Sequence, residues 1–81
     1  MLYNNGDYTS PVAVVPMSVL LSDHARKRMF ERGISMGEIA EAIIKGRKWR
    51  EGASLHATVR NIEVVYKVAD SNIFVIAVHY R

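Results

Sequence analysis

The chain has 81 residues, enough for one small domain with a modest core. It contains no cysteine, which excludes a disulfide framework and thiol catalysis. The net charge of +3 gives a positive surface that attracts polyanions without specifying them. The chain shows neither a signal-peptide pattern nor an apolar run of membrane length, so we expect a soluble, cytoplasmic protein that does not enter a membrane.

The N-terminal part of the chain is rich in turn-forming residues. Asparagine, glycine and proline within residues 1–11 predict a flexible segment, and residues 12–81 are predicted to form a single domain. The apolar, mostly β-branched residues 12–15 favour an edge strand that breaks at Pro16, and Ser18–Leu21 could resume it.

Two consecutive helices are predicted within residues 22–46, because each has a start and a stop signal. A serine precedes each helix as a possible N-cap, and a glycine follows each helix end. These capping residues are Ser22, Gly33, Ser35 and Gly46. Apolar residues recur on one face of the second helix at helical spacing, so we expect that face to cover a sheet.

The second half of the chain predicts strands. Residues 47–52 form a charged connector that could be a short strand, and residues 55–60 and 62–69 are two strands joined by a tight turn. The apolar run 73–80 is typical of a strand in the centre of a sheet. Because the connections are short, we expect antiparallel pairing. The predicted fold class is α+β in two layers, a helical hairpin packed on a three- to four-stranded antiparallel sheet.

The first predicted helix places cations beside apolar residues. His24, Arg28 and Arg32 are spaced four apart and therefore form one row along the helix. Arginine forks suit phosphate oxygens, and histidine can transfer a proton near neutral pH, so this row is our candidate catalytic site. The arginines could instead form structural ion pairs with carboxylates such as Glu63.

Two further histidines, His56 and His79, fall on predicted strands. Two histidines and an arginine can cleave RNA without a metal: one histidine takes the proton of the 2′-hydroxyl, the other protonates the leaving oxygen, and the cation stabilises the charged intermediate. The sequence does not show which histidines meet, and a lone histidine on a strand is more often packed or hydrogen-bonded. No histidine pair has the spacing of a metal motif, so we expect no metal and no cofactor.

Cations and aromatic residues are interleaved in the second half of the chain, as on surfaces that stack bases and contact phosphates. The candidate nucleic-acid-binding residues are Arg47, Lys48, Arg50, Lys67, Tyr80 and Arg81. The alternative is that the aromatic side chains pack internally. On that interpretation Trp49 covers the end of the second helix, and Tyr66 shares a strand face with Ile62 and Val64.

Residues 22–35 follow the pattern S-x-H-A-x-x-R-M-x-x-R-G-I-S, and a strand hairpin comes after them. This pattern resembles the DUF4258 domain family, and the likeness extends over about residues 20–80. The resemblance implies a RelE-like fold, similar to that of the RelE/ParE toxin superfamily and to the layout of BrnT toxins. Its better-known members are small ribonucleases or gyrase poisons of toxin–antitoxin pairs.

By that analogy, His24, Arg28 and Arg32 are the motif positions to carry over. RelE-type toxins often place catalytic residues on the last strand or beyond it, where this chain has His79, Tyr80 and Arg81.

Three hypotheses stand side by side. The first is a toxin-like RNA-binding domain that acts as a metal-independent ribonuclease. The second is a non-enzymatic module that binds an antitoxin-like protein or nucleic acid. The third is a self-associating structural domain; a homodimer is expected on general grounds, since small domains without disulfides or metals often gain stability by association.

Overall fold

The computed structural model describes residues 18–81, and the predictions for residues 1–11 and for a strand at residues 12–15 lie outside this range. In chain order the elements are β1 (Ser18–Leu21), α1 (Asp23–Arg32), α2 (Met36–Lys45), β2 (Arg47–Glu51), β3 (Ser54–Val59), β4 (Ile62–Ala69) and β5 (Asn72–Tyr80). Within this part of the chain, no helix is long and apolar enough to cross a membrane.

Both helices begin at the serines that the sequence indicates. The Ser22 hydroxyl accepts a hydrogen bond from the backbone N–H of Ala25 and so caps α1. The same hydroxyl donates to the carbonyl oxygen of Ile76 on β5 at 2.8 Å. Ser35 and Glu38 form a complete capping box at the start of α2. Ser22 therefore also ties the start of α1 to the sheet.

The five strands form one mixed sheet in the order β1-β5-β4-β3-β2. β1 runs parallel to β5, whereas the other neighbouring strands are antiparallel. The predicted α+β class is confirmed, and the four strands that follow the helices are antiparallel as predicted. The prediction of a three- to four-stranded antiparallel sheet is wrong, because β1 joins as a fifth strand and runs parallel to β5. Short connections determine the direction only between consecutive strands, and β1 is separated from β5 by two helices and three strands.

The two helices pack on one face of the sheet and enclose the core. Ala25 of α1 and Ile39 and Ala42 of α2 are fully buried against this face. The prediction that α2 covers the sheet is confirmed. The buried sheet residues include Ala57, Ile62, Val64, Tyr66, Val75 and Val78, so Tyr66 shares the covered face with Ile62 and Val64, as predicted.

The opposite face is covered by neither helix, and we call it the open face. Strand alternation and register place the following side chains on it: Trp49, His56, Glu63, Lys67, Phe74 and His79.

A β-bulge interrupts β5. Val65 pairs with Ala77, whereas the next residue of β4, Tyr66, pairs with Val75, so Ile76 is an extra residue on β5. A bulge shifts the alternation of side chains between the two faces of a strand.

This shift changes which face Phe74 occupies. Phe74 lies five positions before His79, an odd spacing that puts two residues on opposite faces of a regular strand. Because of the bulge, Phe74 returns to the open face with His79, and its neighbours Ile73 and Val75 enter the core.

Candidate active site

Glu63 is the centre of a cluster of titratable side chains on the open face. Its carboxylate accepts a hydrogen bond from Nδ1 of His56, with 2.8 Å between Nδ1 and Oε2. The other oxygen, Oε1, lies 3.6 Å from Nε2 of His79 and 3.5 Å from Nε of Arg81. The structure thus brings His56 and His79 to one carboxylate, with an arginine beside them.

The surroundings of Glu63 favour its ionised form. Partial burial by itself would raise the pKa of Glu63. The hydrogen bond from His56 and the positive charges of His79, His56 and Arg81 outweigh that effect and lower the pKa below its ordinary value. Glu63 is therefore a carboxylate at neutral pH, although its side chain is only 13% exposed.

His56 is held in place on several sides. Its Nε2 lies 3.2 Å from Oε1 of Glu51, and its ring stacks on the indole of Trp49. The residue is buried, with 9% of its surface exposed. These contacts suit a side chain that orients Glu63 rather than one that moves to meet a substrate.

The position of Trp49 corrects a prediction. Trp49 does not cover the end of α2, because register with His56 places its indole on the open face. Lys48 takes the position near α2 instead: its Nζ donates to the carbonyl oxygens of Ile44 and Gly46. The reversal follows from strand alternation, which puts consecutive residues of β2 on opposite faces.

His79 and Arg81 are the accessible members of the cluster. The side chain of His79 is 50% exposed and that of Arg81 is 45% exposed. The guanidinium carbons of Arg81 and Arg47 lie 5.5 and 5.7 Å from the centroid of the Trp49 ring. The cluster thus offers a partly buried carboxylate, a half-exposed imidazole and cations at one place.

The predicted nucleic-acid-binding residues divide between the two faces. Register places Arg47 and Lys67 on the open face, and Arg81 reaches over it. Lys48, Arg50 and Tyr80 alternate to the side of the helices. The Tyr80 hydroxyl donates to the carbonyl oxygen of Arg32 at the end of α1, at 2.8 Å.

The row His24, Arg28 and Arg32 lies on α1, on the opposite side of the sheet from Glu63. His24 is exposed to solvent. Nη1 of Arg28 lies 4.0 Å from Oε1 of Glu31, and the guanidinium of Arg32 lies over the Tyr80 ring at 5.8 Å. The structure does not bring this row together with the other two histidines, and its catalytic role stays a prediction.

Glu63 was predicted only as an ion-pair partner for the helix arginines, although the sequence contains a signal for its place in the cluster. Alternation along β4 places Glu63 opposite in orientation to Ile62 and Val64, and the flanking strands each carry a histidine. A carboxylate in an apolar strand between two histidine-bearing strands is the better candidate for a site residue.

No group of three or more histidine, aspartate and glutamate side chains in residues 18–81 has an arrangement suited to a metal ion. What the cluster offers is acid–base chemistry beside a cation.

Comparison with known proteins places the chain by sequence and by fold. The sequence profile of a family described as a domain of unknown function (DUF4258) matches residues 21–80. None of the curated proteins matches the chain in sequence.

The solved structures that are similar in fold include two that span most of this chain. One is a chain of the toxin–antitoxin complex RelBE2 from Mycobacterium tuberculosis, with 17% identity, coverage of 84% of this chain and 94% of that chain, and a TM-score of 0.63. The other is the conserved hypothetical protein HP0894 from Helicobacter pylori, with 11% identity, coverage of 82% and 96%, and a TM-score of 0.52. The likeness shows a shared fold, in agreement with the RelE-like fold that the motif implied.

Proposed function

The chain belongs to the DUF4258 family. From this family membership and the open-face cluster, we propose that it is a toxin-like domain that cleaves RNA without a metal ion. The observation that carries the proposal is the Glu63 carboxylate, held between His56 and His79 beside Arg81. The shared fold with a chain of the RelBE2 toxin–antitoxin complex supports the toxin-like class. Fold alone does not determine function, so the proposal depends on the cluster.

Glu63 is the general base of the proposed reaction. Its carboxylate removes the proton of a ribose 2′-hydroxyl, and the 2′-oxygen attacks the adjacent phosphorus. The bond from phosphorus to the 5′-oxygen breaks, and a protonated His79 donates its proton to that leaving oxygen. The products are a 2′,3′-cyclic phosphate and a free 5′-hydroxyl, and no further reactant is consumed.

Two features of the cluster suit these roles. The ring of His79 is half exposed, so it can turn away from Glu63 toward a leaving group. Arg81 lies beside the same carboxylate oxygen and can stabilise the negative charge that develops on the phosphoryl oxygens. His56 is a positioning residue, because its hydrogen bond orients Glu63 and favours the ionised carboxylate.

The proposal assigns no step to His24, Arg28 or Arg32. A phosphate site on this row is a separate hypothesis, on the other side of the sheet, and it can be tested independently.

The decisive test is cleavage of single-stranded RNA by the purified protein in the presence of EDTA. We expect fragments that end in a 2′,3′-cyclic phosphate, and we expect Glu63→Gln to lower the rate by about 100-fold or more. The matched control is Glu41→Gln. Glu41 is also an ion-paired glutamate, with Oε1 2.7 Å from Nη2 of Arg60, but it lies on α2 away from the open face.

The control should cleave RNA at the wild-type rate. A wild-type protein without cleavage activity, or an active Glu63→Gln variant, would contradict the proposal.

A second candidate is a domain that binds an antitoxin-like protein. Two large apolar side chains on the helices favour it, since Phe30 is 90% exposed and Ile44 is 74% exposed. The RelBE2 structure is itself a toxin–antitoxin complex. Co-expression with any small protein encoded by a neighbouring reading frame, followed by co-purification, tests this candidate, and replacement of Phe30 and Ile44 by serine should abolish the complex.

The same purified protein tests the proposed homodimer. Light scattering of the wild-type protein, run alone, gives the mass in solution and separates a monomer from a self-associating domain.

A further inference from the structure

We propose that Phe74 and Lys67 form a second nucleotide-binding subsite on the open face, one that takes a base and a phosphate of single-stranded RNA a few nucleotides from the cleaved bond. This inference rests on the proposed function and specifies its substrate class.

The subsite combines an accessible aromatic ring with a cation. Phe74 is 39% exposed, a large value for a phenylalanine in an interior strand. Lys67 lies directly opposite Phe74 in the register of β4 and β5, and its side chain is exposed. On the other side, Leu20 of β1 pairs in register with Phe74 and is 44% exposed. An aromatic ring that stacks a base, with a cation for the adjacent phosphate, is the usual arrangement in single-strand binding proteins.

The spacing connects this subsite to the cluster around Glu63. Lys67 follows Glu63 by four residues on the same strand face, which corresponds to about 14 Å. A single nucleotide is too short to reach from Glu63 to Lys67, whereas a short extended run of nucleotides can contact both. Between the two places lie Val65 and Ala77, paired on the same face, so small apolar side chains form the floor of the path.

The β-bulge is the feature that creates the subsite. Without the extra residue Ile76, Phe74 would point into the face covered by the helices. The bulge instead exposes an aromatic ring in line with His79. A ring that is accessible in this position can stack on an unpaired base.

The charges on the open face favour RNA as the occupant. Cations lie near both ends of the path, with Arg47 and Arg81 near Trp49 and Lys67 beside Phe74. Within residues 18–81, the carboxylates that the strands place on this face are Glu51 and Glu63, and both are in contact with His56. Stacking on Phe74 requires an unpaired base, so the substrate is single-stranded rather than duplex RNA.

The test is a binding measurement that does not depend on cleavage. Fluorescein-labelled 2′-O-methyl-uridine oligomers lack the nucleophilic hydroxyl and therefore stay intact; a dimer and an octamer are compared by fluorescence anisotropy. We expect the wild-type protein to bind the octamer more tightly than the dimer. We expect Phe74→Leu to weaken octamer binding by about tenfold and to leave dimer binding unchanged.

A second variant and a control complete the experiment. Lys67→Gln should reduce the salt dependence of octamer binding by about 0.7 in log–log slope, the effect of one lost phosphate contact. Met36→Leu is the control, because Met36 is 42% exposed, close to the value for Phe74, but lies on α2 on the other side of the sheet. It should bind both oligomers as the wild type does.

The outcomes separate the subsite from the proposed function. If the wild type binds the octamer and Phe74→Leu binds it equally well, the subsite is wrong and the proposed function stands. If Phe74→Leu loses affinity for the dimer and the octamer equally, the subsite is also wrong, since such a loss indicates a change in the fold. If the wild type binds neither oligomer, the proposed function itself fails. Unchanged octamer binding with loss of self-association in Phe74→Leu would assign the patch to a protein interface.

Discussion

The indole of Trp49 stacks on the imidazole of His56, with ring centroids 5.2 Å apart and 17° between the ring planes. The two ring nitrogens of His56 face carboxylates, with Glu63 at 2.8 Å and Glu51 at 3.2 Å. An imidazole fixed at its face and at both nitrogens has one orientation available. Trp49 therefore acts on Glu63 through His56.

Replacement of Trp49 by leucine should loosen His56 and, through it, Glu63. We expect the free energy of unfolding to fall by about 1 kcal/mol, the size of an aromatic pair, and the cleavage rate to fall by about tenfold. Urea denaturation and initial rates on single-stranded RNA measure the two effects. Trp49→Phe keeps a stacking ring and should recover most of the rate; equal rates for the leucine and phenylalanine variants would show that the stack has no positioning role.

The lowered pKa of Glu63 predicts how stability depends on pH. Because this pKa is lower in the folded than in the unfolded chain, ionised Glu63 favours the folded state. The contribution is fully present above the ordinary carboxyl pKa of about 4.3 and is lost as the pH falls through the lowered folded value. We expect the difference in unfolding free energy between the wild type and Glu63→Gln to be constant near neutral pH and to shrink in acid. Chemical denaturation at a series of pH values measures this difference.

The comparison variant is again Glu41→Gln. The Arg60 hydrogen bond also lowers the pKa of Glu41, but that pair is exposed and solvent screens it. A pH dependence as large for Glu41→Gln as for Glu63→Gln would contradict the assigned role of the cluster.

Two glycines at the ends of α2 should respond oppositely to alanine. A Cβ at Gly46 would collide with the carbonyl oxygens of Thr58 and Ala42, which are backbone atoms that cannot move aside cheaply. We expect Gly46→Ala to destabilise the protein by about 1–3 kcal/mol. A Cβ at Gly37, in the first turn of α2, meets only the Ser35 hydroxyl at an ordinary 3.7 Å. Gly37→Ala should be neutral or stabilise by up to about 1 kcal/mol, and thermal denaturation of both variants compares them.

The two candidate locations for catalysis make opposite predictions for two histidines. With the site on the open face, His79→Ala should lower the cleavage rate by about 100-fold or more, and His24→Ala should change it by less than about twofold. Rates on one RNA substrate, with folding checked by circular dichroism, distinguish them. A large loss of rate for His24→Ala with little change for His79→Ala would instead place the catalytic site at the row of His24, Arg28 and Arg32 on α1.

Local signals in the sequence were sufficient for the helices. Ser22, Gly33 and Ser35 determine helix ends through hydrogen bonds and backbone angles that involve only near neighbours, so α1 and α2 have the predicted bounds. Alternation in β4 was likewise visible, and it correctly grouped Ile62 with Tyr66.

Features that depend on distant parts of the chain were not predictable in this way. The parallel pairing of β1 with β5 joins Ser18–Leu21 to a strand that begins at Asn72, and no local pattern specifies such a partner. Which face of the sheet the Trp49 side chain occupies depends on the pairing of Trp49 with His56 in the neighbouring strand. The meeting of His56 and His79 at Glu63 depends on three strands pairing in one register, for which the sequence provides no distance.

The hydrogen bond from Ser22 to Ile76 has a consequence for the order of folding. It joins groups 54 positions apart, whereas the hairpins of β2 to β5 are closed by short turns. Contacts of large sequence separation form late, because a long loop must close before they contribute. We therefore expect the three hairpins to form first. β1 and the start of α1 should pack onto the sheet last, because the Ile76 carbonyl that accepts the Ser22 hydrogen bond lies in the bulge of a completed β5. Mutations at Ser22 should then accelerate unfolding and leave the refolding rate nearly unchanged.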